Sequence, residues 1–337
     1  MVKLALDAMG GDFAPKEPVL GALKALEEFD DLEITLFGDE NKIKQYLKED
    51  NPRIMIVHTD SFIDMGEHNP VSQIRNNPKS SLVLAMKSCK NHETDALVTA
   101  GPTQAVIVGA HIIIKRLDGM SRVALAPILP SVDEKNRIML DVGANVELRP
   151  EHLLELAIYG TALAKIVLHV DNPRIGLLNI GTEEGKGRQV DQDTYQLLKS
   201  SDKINFVGNI ETKDIMNPDC EVMLTDGFTG NMVLKTLEGT AKGVGNILKQ
   251  EIKRTFLGKI GALFMKKNLN NFKDRLSGKE VGGAMLCGVS VPVVKSHGSS
   301  NYLDISYSIK RAYSLVKSNL VEEVIKSLPQ KEDEENV

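Results

Sequence analysis

Residues 4–15 read LALDAMGGDFAP: an apolar run that stops at Asp7, passes through Gly10-Gly11 and reaches Pro15, where a helix can begin. An unbroken apolar run fits a strand covered on both faces, glycine permits a sharp turn, and proline suits the first turn of a helix. The same theme returns at Ala96–Gln104 (ALVTAGPTQ), Ile138–Val146 (IMLDVGANV), Gly176–Gly187 (GLLNIGTEEGKG), Val222–Asn231 (VMLTDGFTGN) and Val291–Asn301 (VPVVKSHGSSN), in most cases with an amphipathic stretch behind it. Strand, turn and helix in alternation predict βαβ units and a mostly parallel sheet, an α/β fold of three layers, helix over sheet over helix. In such a sheet the turns open at the carboxyl edge of the strands, where open α/β folds bind their ligands. The expectation is one cleft lined with backbone N–H donors, suited to phosphate or to an oxyanion.

Working outward, Val2–Leu6, Ile34–Phe37 and Ile54–Val57 read as strands. Helices are expected from Pro15 to near Glu28, over Asn41–Leu47, near Ser80–Lys90 and over Gln104–Lys115. Asp60–Asn77, polar and carrying Pro70 with Pro78 just beyond, reads as a long loop or lid. Pro150–Val170 is a long apolar helix, fit for a core or a subunit interface. Residues 1–330 are expected to form a single catalytic unit, open to division into two lobes around a cleft, and residues 331–337, with four acids, an acidic frayed tail.

Bulk properties exclude several classes. At 337 residues with 42% hydrophobic and 26% charged residues, a sizeable core can form. A net charge of −5, no Trp and 4% aromatic residues do not suit a nucleic-acid binder. Cys89, Cys220 and Cys287 are odd in number and far apart, which argues against a disulfide framework or a zinc site and for a reducing, cytoplasmic setting. The start of the chain reaches Asp7 too soon for a signal peptide, and the uncharged run Ala96–Ile114 is interrupted by Gly101-Pro102. One segment stands apart. Lys242–Lys279 carries ten Lys/Arg against two acids, +8, which leaves −13 for the rest (−5 minus +8). Within it Phe256, Leu257, Ile260, Leu263 and Phe264 form an apolar tip ringed by Lys253, Arg254, Lys259, Lys266 and Lys267. Such a basic helical protrusion can rest on an anionic membrane surface, or pack on its own core or on a second subunit.

No G-x-x-x-x-G-K-[ST], no G-x-G-x-x-G after the first strand, no G-x-S-x-G elbow and no His pair at metal spacing occur, so no nucleotide cofactor or metal is expected. The candidate site residues lie in the turns. Lys186 sits among Gly181, Thr182, Gly185 and Gly187, where a lysine can meet a phosphate as a point charge. His297, Ser299 and Asn301 precede the last long helix, positions that cap it or hold an anion at its start. Asp7 and Asp12 bracket Gly10-Gly11, and Asp226 precedes Gly230-Asn231; these carboxylates orient donors, take a proton or stabilise the turn.

Together LDAMGGDFAP, LDVGANVELRPEHLLELA, IGLLNIGTEEGKG, FVGNIE, LTDGFTGNMVLKTLEG and KSHGSSN, in this order from Leu6 to Asn301, resemble one family closely, the bacterial acyl-acyl carrier protein–phosphate acyltransferases (PlsX) of phospholipid synthesis. The resemblance implies a fold like that of phosphotransacetylases and of isocitrate and isopropylmalate dehydrogenases, without a cofactor. It implies transfer of a long-chain acyl group from acyl carrier protein to inorganic phosphate, and delivery of the acyl phosphate to a membrane glycerol-3-phosphate acyltransferase. A homodimer with peripheral membrane association is expected. The chain departs from the family at Thr99–Ala105, where S-A-G-N-T-G-A is usual: Pro102 removes an amide donor and Gln104 adds bulk, which leaves Gly101 and Thr103 as the candidates there. A milder departure is Gly288-Val289-Ser290-Val291, where Gly-Val-Asn-Gly is common.

The chemistry expected needs no covalent intermediate, because phosphate is already an oxygen nucleophile. The protein has to hold phosphate beside the thioester carbonyl and stabilise the tetrahedral oxyanion. Lys186 and the Ser299–Asn301 helix start would hold phosphate, and Asn231 would donate to the oxyanion. Gly10, Gly11, Gly101, Thr103, Gly143, Asn145, Gly181, Thr182, Gly185 and Gly230 would line the site, with Asp7, Asp12, Asp226 and His297 managing donors and protons. A short-chain acyl-CoA phosphotransacetylase and a non-catalytic acyl or membrane scaffold stay open as other readings; a nicotinamide-dependent oxidoreductase lacks its fingerprint.

Overall fold

A computed structural model describes residues 1–47, 49–67, 69–277 and 282–328. In chain order the strands are β1 (Val2–Asp7), β2 (Leu32–Gly38), β3 (Ile54–His58), β4 (Ala96–Thr99), β5 (Ala124–Leu129), β6 (Arg137–Leu140), β7 (Arg174–Asn179), β8 (Asn205–Glu211), β9 (Val222–Leu224), β10 (Ala284–Cys287) and β11 (Val293–Lys295). The helices are α1 (Lys16–Leu26), α2 (Glu40–Lys44), α3 (Pro70–Asn76), α4 (Ser81–Lys90), α5 (Thr103–Gly109), α6 (Pro150–Leu168), α7 (Gln189–Ser200), α8 (Gly227–Arg254), α9 (Phe256–Phe264), α10 (Lys266–Ser277), α11 (Tyr302–Lys317) and α12 (Leu320–Ser327). The acidic tail 331–337 and residues 278–279 of the basic protrusion lie outside the described residues.

The strands form one eleven-stranded sheet in the order β3-β2-β1-β4-β11-β10-β5-β6-β9-β7-β8. It is mostly parallel, as expected, but its parallel pairs fall in two blocks. β3, β2, β1, β4 and β11 run one way. β6, β9, β7 and β8 run together the other way, because β5 and β6 pair antiparallel. Residues 130–136 link β5 to β6, too few for a parallel crossover, which takes about a dozen or more residues. β10 is reversed between β11 and β5.

The register decides where the carboxyl ends meet. Thr99 pairs with Lys295, Lys295 with Ala284, and Ala284 with Pro127, a single line across β4, β11, β10 and β5. The β5–β6 register, Ile128 with Ile138 and Leu129 with Arg137, carries that line on to Met139. β6 ends one residue later, level with Leu224 of β9. The two opposed blocks are therefore staggered lengthwise, and their carboxyl ends converge on one transverse seam. From β11 to β6 is three strand steps, about 15 Å.

Side chains alternate across the sheet and build a core on each face. Leu4, Leu6, Ile138, Leu140 and Val294 pack with Val19 and Leu26 of α1, Leu156 and Leu163 of α6, and Ile305 and Ile309 of α11. Ala5, Leu97, Met139, Met223 and Val293 face the other way, onto Leu82 and Met86 of α4 and Val106 of α5. This is the three-layer sandwich the alternation predicts. α6 buries eleven of its nineteen residues, nine of them in the first core, which answers its apolar composition.

Two local expectations are corrected. The stretch read as a loop or lid over Asp60–Asn77 contains α3: the Asn69 side chain accepts from the Ser72 N–H at 3.0 Å and Pro70 opens the helix, so that proline marks a start rather than an interruption. The helix expected over Gln104–Lys115 is α-helical only to Gly109 and continues as a π-helical turn, Ala110–Ile114.

α8 begins at the seam and leaves the body. Val233, Leu234 and Leu237 lie against the second core, whereas a Cβ added at Gly239, Gly243 or Gly245 would meet nothing within 4 Å. At 28 residues the helix is about 42 Å long. Thr255 breaks it with extended dihedrals and caps α9, its hydroxyl accepting from the Gly258 N–H at 3.0 Å. A Cβ at Gly258 would stand 2.2 Å from the Ile252 carbonyl oxygen, so this joint needs glycine.

Candidate active site

Two groups of turn residues face the seam. The first comes from the loops after β1, β4 and β11. Asp7 is 2% exposed, and its carboxylate accepts from the Thr99 hydroxyl at 2.8 Å and from the Met9 N–H at 3.3 Å. Thr99 Oγ1 in turn accepts from the Gly101 N–H at 2.9 Å, so the β1 carboxylate orients the β4 turn through one hydroxyl. Burial pushes the Asp7 carboxyl up from its ordinary range. The Asp12 N–H donates to the Gly298 carbonyl at 2.8 Å, and the Ser296 N–H to Thr99 O at 2.8 Å, which locks the three loops together. His297 Nδ1 accepts from the Ser299 N–H at 3.2 Å and lies 2.9 Å from the Ser299 hydroxyl. An N–H aimed at Nδ1 leaves the ring proton on Nε2, as a donor. Asn301 caps α11 by accepting from Leu303 and Asp304 N–H groups, while Asp304 accepts from the Asn301 N–H. The Asn301 side-chain oxygen is thus committed to the helix. Gly10, Gly11 and Thr103 complete this group; a Cβ on Gly10 would stand 2.8 Å from the Gly101 nitrogen.

The second group follows β6, β7 and β9. Asp141 is fully buried and accepts five hydrogen bonds, from the N–H groups of Leu125, Gly143, Ala144 and Asn145 and from the Asn145 amide. The Asn145 amide also donates to Val123 O at 2.7 Å. Asp226 caps α8, accepting from the Thr229 N–H at 2.7 Å and hydroxyl at 3.1 Å, and pairs with Arg188. A Cβ at Gly230 would lie 1.9 Å from Asp141 O, so α8 can start against the β6 turn only with glycine there. Asn231, exposed one residue on, sits over Gly143. The loop carrying Gly181, Thr182 and Gly185 is held from beneath: Asn179 donates to Lys186 O at 3.1 Å and Asn209 to Glu183 O at 2.8 Å. Lys186 is exposed, its ammonium 3.8 Å from a Glu183 oxygen.

The turns thus come together in two groups, and α8 joins them. Nine helical steps, about 14 Å, lead from the Asp226 cap to Lys235, whose positive charge opposes that of Lys295 at the end of β11. Sequence reading passed over Thr99, Asp141, Asn179, Arg188 and Lys295, all inside or beside the motifs it quoted. The signal for Asp141 and Thr99 was a polar residue closing an apolar run. The tip residues Phe256, Leu257, Ile260, Leu263 and Phe264 lie on α9, away from the seam.

Comparison with known proteins decides the family. Residues 2–323 match the sequence model of a family described as fatty acid synthesis protein. The chain belongs to that family. A phosphate acyltransferase from Acholeplasma laidlawii is 45% identical over 326 residues, 96% of this chain and 97% of the relative. A phosphotransacetylase of Streptococcus pyogenes shares the fold at a TM-score of 0.61 and 18% identity, covering 95% of this chain and 94% of that one. A proposed 4-hydroxythreonine-4-phosphate dehydrogenase of Salmonella typhimurium does so at 0.50 and 13% identity, covering 94% and 99%. The expected dehydrogenase-like α/β sandwich is the fold of this chain.

Proposed function

We propose that the chain transfers a long-chain acyl group from the thioester of acyl carrier protein to inorganic phosphate. The observation that carries this is kinship over nearly the full length with relatives named phosphate acyltransferase. The converging turns supply a matching geometry. A phosphate oxygen attacks the thioester carbonyl carbon, the carbon–oxygen bond forms, and the carbon–sulfur bond breaks. The proton of hydrogen phosphate ends on the thiol, and the products are acyl phosphate and free carrier thiol. The His297 Nε2–H and the Asn231 amide are donors for the oxyanion and for the departing sulfur, one from each side of the seam. Asp7, Asp226 and Asp141 hold the loops from which the donors project.

The projecting arm supports association with an anionic membrane surface. Phe256, Leu257, Leu263 and Phe264 are 76%, 79%, 74% and 87% exposed, amid Lys253, Arg254, Lys259, Lys266 and Lys267. No helix among the described residues is long and apolar enough to cross a membrane, so the tip would lie on it. Val244, Ile247 and Leu248 form a separate exposed stripe at i, i+3 and i+4 on α8, which fits a second copy of the chain. On this reading the enzyme works as a cytoplasmic homodimer that rests on the membrane and hands acyl phosphate to a membrane glycerol-3-phosphate acyltransferase.

The test is incubation of the full chain with acyl-acyl carrier protein and phosphate, trapping acyl phosphate with hydroxylamine and counting free thiol. Phosphate-dependent thiol release with trapped hydroxamate is expected. Release without phosphate, or a strong preference for short-chain acyl-CoA, would overturn the assignment. Lys186→Ala should raise the phosphate concentration needed for half-maximal rate by the loss of one charge-assisted contact, about 1.5–3 kcal/mol. Unchanged saturation by phosphate would remove Lys186 from the site.

A further inference from the structure

Lys295 ends β11 beside Thr99 of β4, and on β1 the next polar residue in line is Asp7, joined to Thr99 by the 2.8 Å hydrogen bond. Ala5 and Leu97, two residues back, face the second core with Val293, so Asp7, Thr99 and Lys295 form a polar row on that same face. It is the face α8 crosses with Val233, Leu234 and Leu237. The first two members of the row satisfy each other. Lys295 does not share in this: among the described residues no hydrogen bond or ion pair is made by its ammonium, although the residue is half-buried. The charges that bear on it are Lys235, which opposes its own, and Asp12, which favours it. Lys235 stands exposed on α8, its ammonium 2.7 Å from a Glu238 carboxylate oxygen. Asp7, engaged by Thr99, and His297, with Ser299 on its Nδ1, are the remaining titratable groups on the three loops. Lys295 at the end of β11 and Lys235 on α8 thus lie near enough for their like charges to oppose each other, and the exposed Asp12 carboxylate favours the Lys295 charge. A half-buried ammonium near a like charge is disfavoured, and a bound anion offsets that cost.

We propose that Lys295, assisted by Lys235, seats the phosphate nucleophile at the seam. This rests on the acyl-transfer reading above and adds the place where the acceptor binds. A dianion suits two cations better than a monoanion does, and the site lies at the carboxyl ends of β4 and β11, one loop away from the His297 donor. Burial, then Lys235, hold the Lys295 ammonium down to about 8, with Asp12 acting against them. Such an ammonium is ready to gain an anion, because the bound dianion relieves what burial opposes. A lysine here acts as a point charge with rotatable donors that can follow the phosphate as its attacking oxygen becomes the bridging oxygen of the acyl phosphate.

The test uses the full chain with Lys295→Met, Lys295→Arg and Lys235→Gln. Acyl phosphate formation is measured against phosphate at saturating acyl-acyl carrier protein, and against the acyl donor at saturating phosphate. Lys295→Met should raise the KM for phosphate roughly ten- to a hundredfold and leave that for the acyl donor within about twofold. Lys295→Arg should recover part of the loss, which a packing role would not allow. Lys235→Gln, on an exposed helix surface, should raise the phosphate KM severalfold and serves if the buried change fails to fold. Inorganic phosphate at constant ionic strength should raise the Tm of the unmodified chain and not that of Lys295→Met. Equal phosphate saturation in all variants, or equal Tm gain, overturns the proposal. A phosphate-dependent Tm gain lost in Lys295→Met, in a chain that releases no thiol, would keep the seat and overturn the acyl-transfer reading instead.

Discussion

The seam and the arm invert each other. At the seam a charged group is buried and fully answered: Asp141, with no exposed surface, accepts five hydrogen bonds from its own turn and from β5. On the arm apolar groups are exposed and unanswered, Phe264 at 87% and Leu257 at 79%. The Asp141 turn has settled its interactions within the chain; the arm's tip has left them for something else. The difference teaches where to expect rigidity and where to expect a partner. Turns whose donors converge on a buried carboxylate cannot shift without exposing unpaired N–H groups, whereas a helix tip that packs only against its neighbours on the arm is free to take its environment from outside.

The comparison can be broken most severely at Asp141. Asp141→Ala leaves four backbone N–H groups and one amide without their acceptor and should cost about 3–5 kcal/mol, read as a lower urea midpoint. A loss under about 1 kcal/mol would mean that the second group of turns is held by other means. Next comes Lys295→Met, which should act in the opposite direction on the ligand-free protein. The folded-state value lies near 8, below the ordinary lysine value of 10.5, so below pH 8 the charged lysine costs folding stability, and above 10.5 it costs nothing. Removing it should stabilise by on the order of 1–3 kcal/mol at pH 7, with the gain fading as pH rises from 8 to 10.5. Destabilisation at pH 7 would show that the seam satisfies this lysine after all. The smallest expected effect on folding is on the arm. Leu263→Glu with Phe264→Glu should change stability by no more than about 0.5 kcal/mol and abolish binding to vesicles of anionic phospholipid. Dissociation or unfolding of this variant would turn the tip into a subunit contact and make the two regions alike.

Much of the fold was legible because strands buried on both faces write themselves as apolar runs, and because Gly-rich turns mark where they end. LALDAMGGDFAP and IMLDVGANV show this directly: β1 and β6 stop within a residue of Asp7 and Asp141. α3 was missed because Pro70 signals a break and a helix start equally well, and the Asn69 cap that settles the choice is a three-dimensional contact. The opposed blocks were missed for a different reason. Each strand–turn–helix unit looks the same whichever way it runs, and direction depends on the short link between β5 and β6. Lys295 was hidden in plain view within VPVVKSHGSSN: Val293 and Val294 are both apolar, so alternation does not tell which face the lysine shares. Only pairing with Thr99 on β4 does, and register between strands far apart in sequence is not a local property.

α8 is a wall of the cleft at Lys235 and a mast at Arg254. The nineteen helical steps from one to the other span about 29 Å of unbroken helix. That length sets a stand-off: whatever surface the α9 tip rests on, the seam can be no farther from it than the mast and the tip allow. The mast also couples height to heading, because each residue added turns the tip by about 100° as it lifts it by about 1.5 Å. Insertions that keep the apolar face pointing the same way therefore come in steps of about seven residues, or about 10 Å. Changes of intermediate length would leave the chemistry at the seam intact and aim the tip at water.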